Sequence, residues 1–457
     1  MKIAIIGDGN VGFTLAKQLS KEGHDLVLID SDPDVLQRSQ ERLDVLVVSG
    51  NGASLEVQRE ADIANCDLMV AVTSSDETNL LCCILAKKLG CSHTISRVRN
   101  SEYNQQIQYL REDLGLSMAI NPELMTAHQI FRSLEFPSFL NLDAFAKGRV
   151  ELVELLLDEK NALTNRRIDD MKGELRRHIL VCAVERDGEV IIPRGGFVFR
   201  SGDKITITAP RRDLAKVIKQ LELDAQKIRN VMIIGGSTIA EYLADDLINV
   251  GIGVKIIEID EKRANELAER LPKALIIHDD GSSHEVLRAE RIDETDAVVT
   301  LTGVDEMNIV ISMFSSKAGV PKTITKLDHN EYNVLFADKG IGSTVCPTEL
   351  ITTDILRYVR AMSSGSSGSG TAITLHRIVD EKAEAIEFEV GADTKHLGVP
   401  FSRIPFRKDL LVACITRMGK VIFPGGSDYL QIDDTVIIVT TAEHTVLELN
   451  DIFTDSQ

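Results

Sequence analysis

The sequence predicts an α/β protein: two tandem lobes, each a doubly wound parallel sheet, and each followed by a small β-rich α+β lobe. Three observations carry this prediction. Short apolar, β-branched runs alternate with helical patterns near the N-terminus and again from about residue 230. The stretch NGASLEVQREADIANCDLMVAVTSSDETN (51–79) recurs without a gap as DGSSHEVLRAERIDETDAVVTLTGVDEMN (280–308), at a constant offset of 229. A different unit, VERDGEVIIPRGGFVFRSGDKITITA (184–209), recurs as ITRMGKVIFPGGSDYLQIDDTVIIVT (415–440), at an offset of 231. The order is therefore A–B–A′–B′, the mark of a duplicated two-lobed unit.

Unit A opens with the strand KIAII (2–6), then a glycine turn, then NVGFTLAKQLSKEG with apolar residues at 11, 15 and 19 on one helix face. DLVLID, VLVVS and LMVAVT read as the next strands, and the helix DETNLLCCILAKKLG leads to the strand HTISRV. Such alternation gives a parallel, Rossmann-like sheet. Unit B has short alternating strands split by RDG, PRGG and SGD, the pattern of a small, mostly antiparallel lobe. The expected boundaries are 1–124 for the first Rossmann-like lobe, 125–148 for a helical crossover arm, and 149–224 for the first small lobe. They continue with 228–350 for the second Rossmann-like lobe, 351–371 for a crossover helix and linker, and 372–457 for the second small lobe. The apolar arm suits either packing on another copy of the chain or an intramolecular helix. The run SSGSSGSG (363–370) has the composition of a flexible linker and looks like an engineered replacement for a loop.

The turn after the first strand reads Gly7-Asp8-Gly9-Asn10-Val11-Gly12, a G-x-G-x-x-G between a strand and a helix. Gly7 allows the tight turn, Gly9 lets backbone approach a pyrophosphate, and Gly12 seats the helix against the strand. The N–H groups of Asn10 and Val11 point at phosphates from the helix N-terminus. Asp30 ends the second strand, placed to accept from ribose hydroxyls and to repel a 2′-phosphate, which favours NAD over NADP. The second copy reads Gly235-Gly236-Ser237-Thr238-Ile239-Ala240. Ser237 replaces the second glycine, and its Cβ is expected to push a phosphate outward while its hydroxyl can donate to one. Glu258 keeps the acid in register, with Asp260 as an alternative. An altered site selective for another adenine nucleotide and a degenerate scaffold are both compatible with these residues. Further cleft residues at strand ends are Asn51, Gly52 and Ala53, Thr73 and Ser74, and Arg97; in the second half they are Asp280, Gly281 and Ser282, Thr302, and Lys326.

Several classes are disfavoured. The 457-residue chain carries 51 basic and 70 acidic residues, a net charge of −19, which opposes nucleic acid and anionic lipid. No apolar run is long enough to span a bilayer. The seven cysteines form no CxxC pair and read as small core residues in a reducing, cytoplasmic setting. HExxH, G-x-S-x-G and P-loop motifs are absent, and the histidines do not cluster at strand ends, His278 being a lone candidate. Binding sites without evident chemistry suit a sensor, not an enzyme. The alternatives are an NAD-dependent oxidoreductase with duplicated Rossmann domains and a scaffold with a structural nucleotide.

The segments GDGNVG…LID, 51–79 and ISRVRN, followed by a β-rich lobe and then repeated, resemble the regulator-of-K⁺-conductance (RCK, or KTN) family of nucleotide-binding regulatory subunits, over nearly the whole chain. The resemblance implies a cytosolic homotetramer whose eight Rossmann lobes form a gating ring. That ring docks under a membrane-embedded, Trk-type potassium transporter subunit, which places the chain at the inner face of the membrane through its partner. It implies NAD(H) and ATP or ADP as ligands. By motif, Gly7 to Gly12, Asp30, Thr73 and Arg97 form the first site, and Gly235 to Ile239, Glu258, Thr302 and Lys326 the second. Arg97 and Arg99 are the contacts expected to change between ring states.

Overall fold

The computed structural model describes residues 1–111, 113–145, 149–171, 179–223, 227–329, 332, 342–364, 372–378, 382–408, 410–441, 446 and 448–454. In the first lobe the elements are β1 (Lys2–Ile6), α1 (Asn10–Lys21), β2 (Asp25–Asp30), α2 (Pro33–Arg42), β3 (Leu46–Ser49), α3 (Leu55–Glu60), β4 (Leu68–Ala71), α4 (Asp76–Leu89), β5 (His93–Arg97), α5 (Ser101–Leu110) and β6 (Met118–Ile120). The strands pair in parallel in the order β3-β2-β1-β4-β5-β6. The order reverses between β1 and β4, which opens a crevice at their carboxyl ends. β1 and β4 lie at the centre, covered on both faces, and therefore read as unbroken apolar runs. Gly12, Leu15, Ala16 and Leu19 form the buried stripe of α1.

A helix α6 (Pro122–Glu135) leads to the first small lobe, made of β7 (Asn141–Phe145), β8 (Val150–Leu156), β9 (Leu180–Arg186), β10 (Glu189–Ile191), β11 (Lys204–Pro210) and α7 (Leu214–Gln220). Its sheet is antiparallel, ordered β10-β9-β11-β8-β7. The second half repeats the plan with β12 (Asn230–Ile234), α8 (Thr238–Asn249), β13 (Gly253–Glu258), α9 (Glu261–Arg270), β14 (Leu275–His278), α10 (His284–Ala289), β15 (Ala297–Thr300), α11 (Asp305–Lys317), β16 (Lys322–Lys326), β17 (Ser343–Val345) and α12 (Pro347–Ser364). The order β14-β13-β12-β15-β16-β17 matches the first lobe strand for strand. The second small lobe holds β18 (Ala372–Ile378), β19 (Ala383–Glu389), β20 (Leu410–Arg417), β21 (Lys420–Ile422) and β22 (Thr435–Thr441), ordered β18-β19-β22-β20-β21.

Two expectations need correction. The arm expected to be helical over 125–148 is helical only to Glu135; Asn141–Phe145 is a strand paired antiparallel with β8. Pro137 disfavours helix at the residue before it and stops α6. Phe139 and Leu142 then enter the core of the first small lobe, so that segment packs within its own chain. Each Rossmann-like sheet also has a sixth strand, β6 or β17, of three residues, too short to show a period. The linker 363–370 lies outside the described residues beyond Ser364.

The compact units do not follow chain order. Met1–Phe131 and Asn230–Leu356 form one, the two Rossmann-like lobes together; Arg132–Arg229 and Arg357–Gln457 form the other, the two small lobes together. Within the second unit the small lobes share a core in which Val150, Leu152, Cys182 and Ala183 meet Ala383, Ala385, Ala413, Cys414 and Val439. Each small lobe also carries the same clamp, a half-buried arginine on a buried aspartate. Arg186 forks onto Asp203 at 2.7 Å on both oxygens and donates to the Val198 carbonyl. Arg417 does the same with Asp434 and the Tyr429 carbonyl. Cys66, Cys82, Cys83, Cys91, Cys182 and Cys414 are buried free thiols.

Lys322 is the least expected core residue. It begins β16, is 6% exposed, and donates to Ser343 Oγ at 2.8 Å. Burial pushes its ammonium down from 10.5 to about 8. Between those two pH values the unfolded chain holds a proton that the folded chain has released, so stability rises with pH across that window. Lys322→Met is expected to abolish this rise and to be the more stable protein at pH 7. Urea midpoints measured from pH 7 to 10 check both statements.

Candidate nucleotide-binding clefts

The glycine turn of the first lobe is built as its sequence demands. Gly7 has φ +98°, and a Cβ there would lie 2.9 Å from the Thr73 nitrogen. A Cβ on Gly12 would fall 1.9 Å from the Gly7 carbonyl oxygen, so α1 reaches this position only with glycine. Gly9 faces open space and is the N-cap of α1, with no side chain capping the helix. The helix N-terminus, with Asn10 exposed and Val11 half-buried, therefore presents uncapped N–H groups. Asp30 accepts from the Asp8 N–H at 2.7 Å and the Asp32 N–H at 2.9 Å, which fixes its carboxylate beside the turn. Asp8 itself is buried toward Ser39 of α2; burial pushes its carboxyl up and the Ser39 hydroxyl opposes the shift.

The far wall of the crevice hangs on one residue, Asn79 of α4, which is fully buried. Its Oδ1 accepts from the Thr73 N–H at 2.8 Å and hydroxyl at 2.7 Å; its Nδ2 donates to the carbonyls of Thr73 and Arg97 at 3.2 and 3.1 Å. Asp76 accepts from the N–H groups of Arg99 and Asn100 at 2.9 and 2.8 Å. These two side chains set the edge formed by the ends of β4 and β5. Ser74 lies exposed on it. The Arg97 guanidinium turns back onto the Thr73 carbonyl, its Nε finds no acceptor, and no carboxylate pairs with it among the described residues. Burial, then Arg99, hold it below its ordinary value. Arg99 is exposed and paired with Glu123 at 2.6 Å.

The second lobe reproduces the frame and changes the lining. Asn308 binds Thr302 and the Lys326 carbonyl with the same four bonds, and Asp305 accepts from the N–H groups of Asp328 and His329. Gly235 has φ +98°. Glu258 accepts from the Gly236 N–H and, at 2.8 Å, from the Asp260 N–H, as Asp30 does in the first lobe. Asp260 is the N-cap of α9 through the Arg263 N–H at 2.8 Å, so of the two acids Glu258 holds the cleft position. Ser237, by contrast, caps α8, its Oγ accepting the Ala240 N–H at 3.3 Å. Thr238 follows as the first helical residue, half-buried, and Ile239 is buried. Lys326 pairs with Asp328 at 2.8 Å. Asp328 stands where the first lobe has Arg99, so two cations in one cleft become an ion pair in the other. Asp8 becomes Gly236, and Ser39 becomes Leu267.

Other expected residues serve the frame. Asn51 Oδ1 accepts from the Ala53 N–H at 2.9 Å, and Asp280 accepts from the Ser282 N–H and hydroxyl, both local turns after the third strand. Gly52 and Gly281 are needed because a Cβ would meet Ile6 Cγ2 at 2.2 Å or Ile234 Cγ2 at 2.6 Å. His278 is exposed, its ring against the Ile259 carbonyl at 3.2 Å. Sequence reasoning missed the roles of Asn79, Asp76 and their counterparts. Their identity in the two copies was the available signal.

The two lobes define a class, a tandem Rossmann-type protein with paired clefts. The TrkA-N domain pattern matches residues 3–122 and 231–347, and the TrkA-C domain pattern matches 152–222. The chain is 32% identical to the Trk system potassium uptake protein TrkA homolog 2 of Methanosarcina mazei, over 96% of this chain and 97% of that one. It is 31% identical to TrkA of Haemophilus influenzae, over 100% and 99%, and 30% identical to TrkA of Halomonas elongata, over 99% and 98%. The chain belongs to the TrkA family of potassium uptake proteins. Its fold is that of the GsuK channel bound to NAD, with a TM-score of 0.63 at 15% identity, covering 97% of this chain and 77% of that one. Similarity to the GsuK bound to ADP has a TM-score of 0.51 at 13% identity, covering 79% and 69%.

Ser237→Gly frees the N-terminus of α8 at a cost of only a few tenths of a kcal/mol in capping, so about the same stability is expected. Calorimetric titration with NADH should show binding at the second cleft tightened about two- to tenfold, the worth of one hydrogen bond. Unchanged affinity there means that the serine does not limit the cleft.

Proposed function

We propose that the chain is a regulatory subunit that binds NAD(H) and adenine nucleotides and thereby controls a membrane potassium transporter. Membership of the TrkA family supports the regulatory role, and the GsuK structures with NAD and with ADP support nucleotides as ligands. The observation that carries the reading is the first cleft. An uncapped helix N-terminus, a fixed acid at the end of β2 and a half-buried arginine that pairs with no carboxylate among the described residues converge there. Asp30 favours NAD(H) over NADP(H), because its charge repels a 2′-phosphate. The second cleft, with a capped helix and a neutralised lysine, takes dinucleotides less well.

Within this reading the chain assembles as a homotetramer, its Rossmann-like lobes forming a ring beneath the membrane subunit at the cytoplasmic face. Among the described residues, no helix is long and apolar enough to cross a membrane, so conduction belongs to the partner. A nucleotide shifts such a ring only by binding one shape better than another. Arg97 and Arg99, on the strand end facing the ligand, supply that difference. The chain performs no catalysis in this account.

Replacing both arginines with glutamine is expected to abolish the nucleotide response of potassium flux in vesicles containing the membrane partner, while basal flux remains. A response equal to that of the unaltered protein rejects the role given to them. Turnover of NADH with any small substrate favours an oxidoreductase instead.

A further inference from the structure

Asp8, the second residue of the first glycine turn, is a buried acid with nothing to hold its charge. It is 3% exposed, and among the described residues neither of its carboxylate oxygens meets a hydrogen-bond donor. Asp30 beside it is the opposite case. Its Oδ2 accepts the Asp8 N–H at 2.7 Å and its Oδ1 the Asp32 N–H at 2.9 Å, so both oxygens are supplied. Asp32 is committed elsewhere, as the N-cap of α2. The groups that face Asp8 are Asp30 from the end of β2, and Ser39 and Arg38 from α2. Ser39 is buried; Arg38 is exposed, and its Nε donates to the Asp34 carbonyl at 3.3 Å. Burial pushes the Asp8 carboxyl up and the Asp30 charge adds to this, while Ser39 and Arg38 oppose it.

The second copy shows that the turn itself does not need this acid. Gly236 takes its place, and a Cβ there would lie 2.5 Å from Leu267 Cδ1 and 2.9 Å from Glu258 Oε2. Leu267 stands where the first lobe has Ser39. Arg263, which stands where the first lobe has Val35, donates from Nε to the Gly236 carbonyl at 2.7 Å. The same point of the fold thus holds one acid and a guanidinium in the second lobe, and two acids in the first. That point is the end of the second strand, where a doubly wound sheet receives the ribose of an adenine nucleotide. Two adjacent carboxyl groups resist ionising together. The one supplied with donors is the acceptor, and the one without them keeps the proton longer.

We propose that Asp8 and Asp30 act as one acid pair at the ribose end of the first cleft, with Asp30 the fixed acceptor for ribose hydroxyls and Asp8 a second acid that excludes a 2′-phosphate once it ionises. The inference rests on the nucleotide reading of the first cleft and names, within it, a further residue that sets specificity. At acid pH the pair carries one charge and the ribose end is the more tolerant. As pH rises Asp8 releases its proton, the pair carries two charges, and a phosphorylated ribose is rejected more strongly. A plain ribose, which brings only hydroxyls, is affected less.

The test is titration of the full chain with NADH and with NADPH from about pH 4.5 to about pH 8.5. A phosphate monoester gains its second charge near about pH 6 whatever the protein, so comparison with Asp8→Asn isolates the contribution of Asp8. Asp8→Asn is expected to raise NADPH affinity relative to NADH about five- to tenfold at the alkaline end. The gain shrinks toward the acid end, where Asp8 of the unaltered chain holds its proton. Ser39→Ala keeps both acids and removes the hydroxyl that opposes the upward push on Asp8; the pH at which NADPH is rejected then moves higher. This second variant decides the matter if Asp8→Asn does not fold. A ratio of the two affinities untouched by Asp8→Asn, or changed equally at every pH, overturns the role of Asp8 and leaves the first cleft as a nucleotide site. Failure of the unaltered chain to bind NADH overturns both.

Discussion

The buried carboxamide of Asn79, and its counterpart Asn308, is the interaction on which each cleft depends. In each lobe it ties the second residue after the fourth strand to the last residue of the fifth with four hydrogen bonds. The crevice of a doubly wound sheet exists where strand order reverses, and its walls are loops with no ladder to hold them. Asn79 supplies that order from inside the core, at 0% exposure, where an unpaired polar group carries a penalty of about 1–3 kcal/mol. Asp76 and Asp305 extend the same frame one turn further by collecting two backbone N–H groups each. The wall is therefore held in place by side chains of the fold itself.

On that common frame the two clefts diverge at a few positions. Gly9, Asp8, Arg97 and Arg99 become Ser237, Gly236, Lys326 and Asp328. Each change removes something a phosphate needs. The helix N-terminus acquires a resident acceptor in Ser237, the forked guanidinium becomes an ammonium, and the second cation becomes an acid that neutralises it. Glu241 adds a further internal anion beside the second turn. The second lobe meets with its own side chains the charges and donors that the first lobe leaves unmet.

The repeat was legible in the sequence because identical residues are spaced identically, and the central strands because they are buried on both faces. β7 was hidden because the helical pattern of α6 runs up to Pro137 without a visible stop before it. β6 and β17 were hidden because three residues carry no period. The glycine turn and the acids Asp30 and Glu258 were legible because their spacing is local. The exchange of Arg99 for Asp328 stood in the aligned segments, yet its meaning needed the salt bridge to Lys326 that only the fold brings together.

The most direct measurement is the stoichiometry of NADH on the full chain, by native mass spectrometry, together with single substitutions of the two acids. The account predicts one tight NADH per chain, lost with Asp30→Ala and kept with Glu258→Ala. Two equivalent NADH molecules per chain, or loss of the tight one with Glu258→Ala, would contradict it.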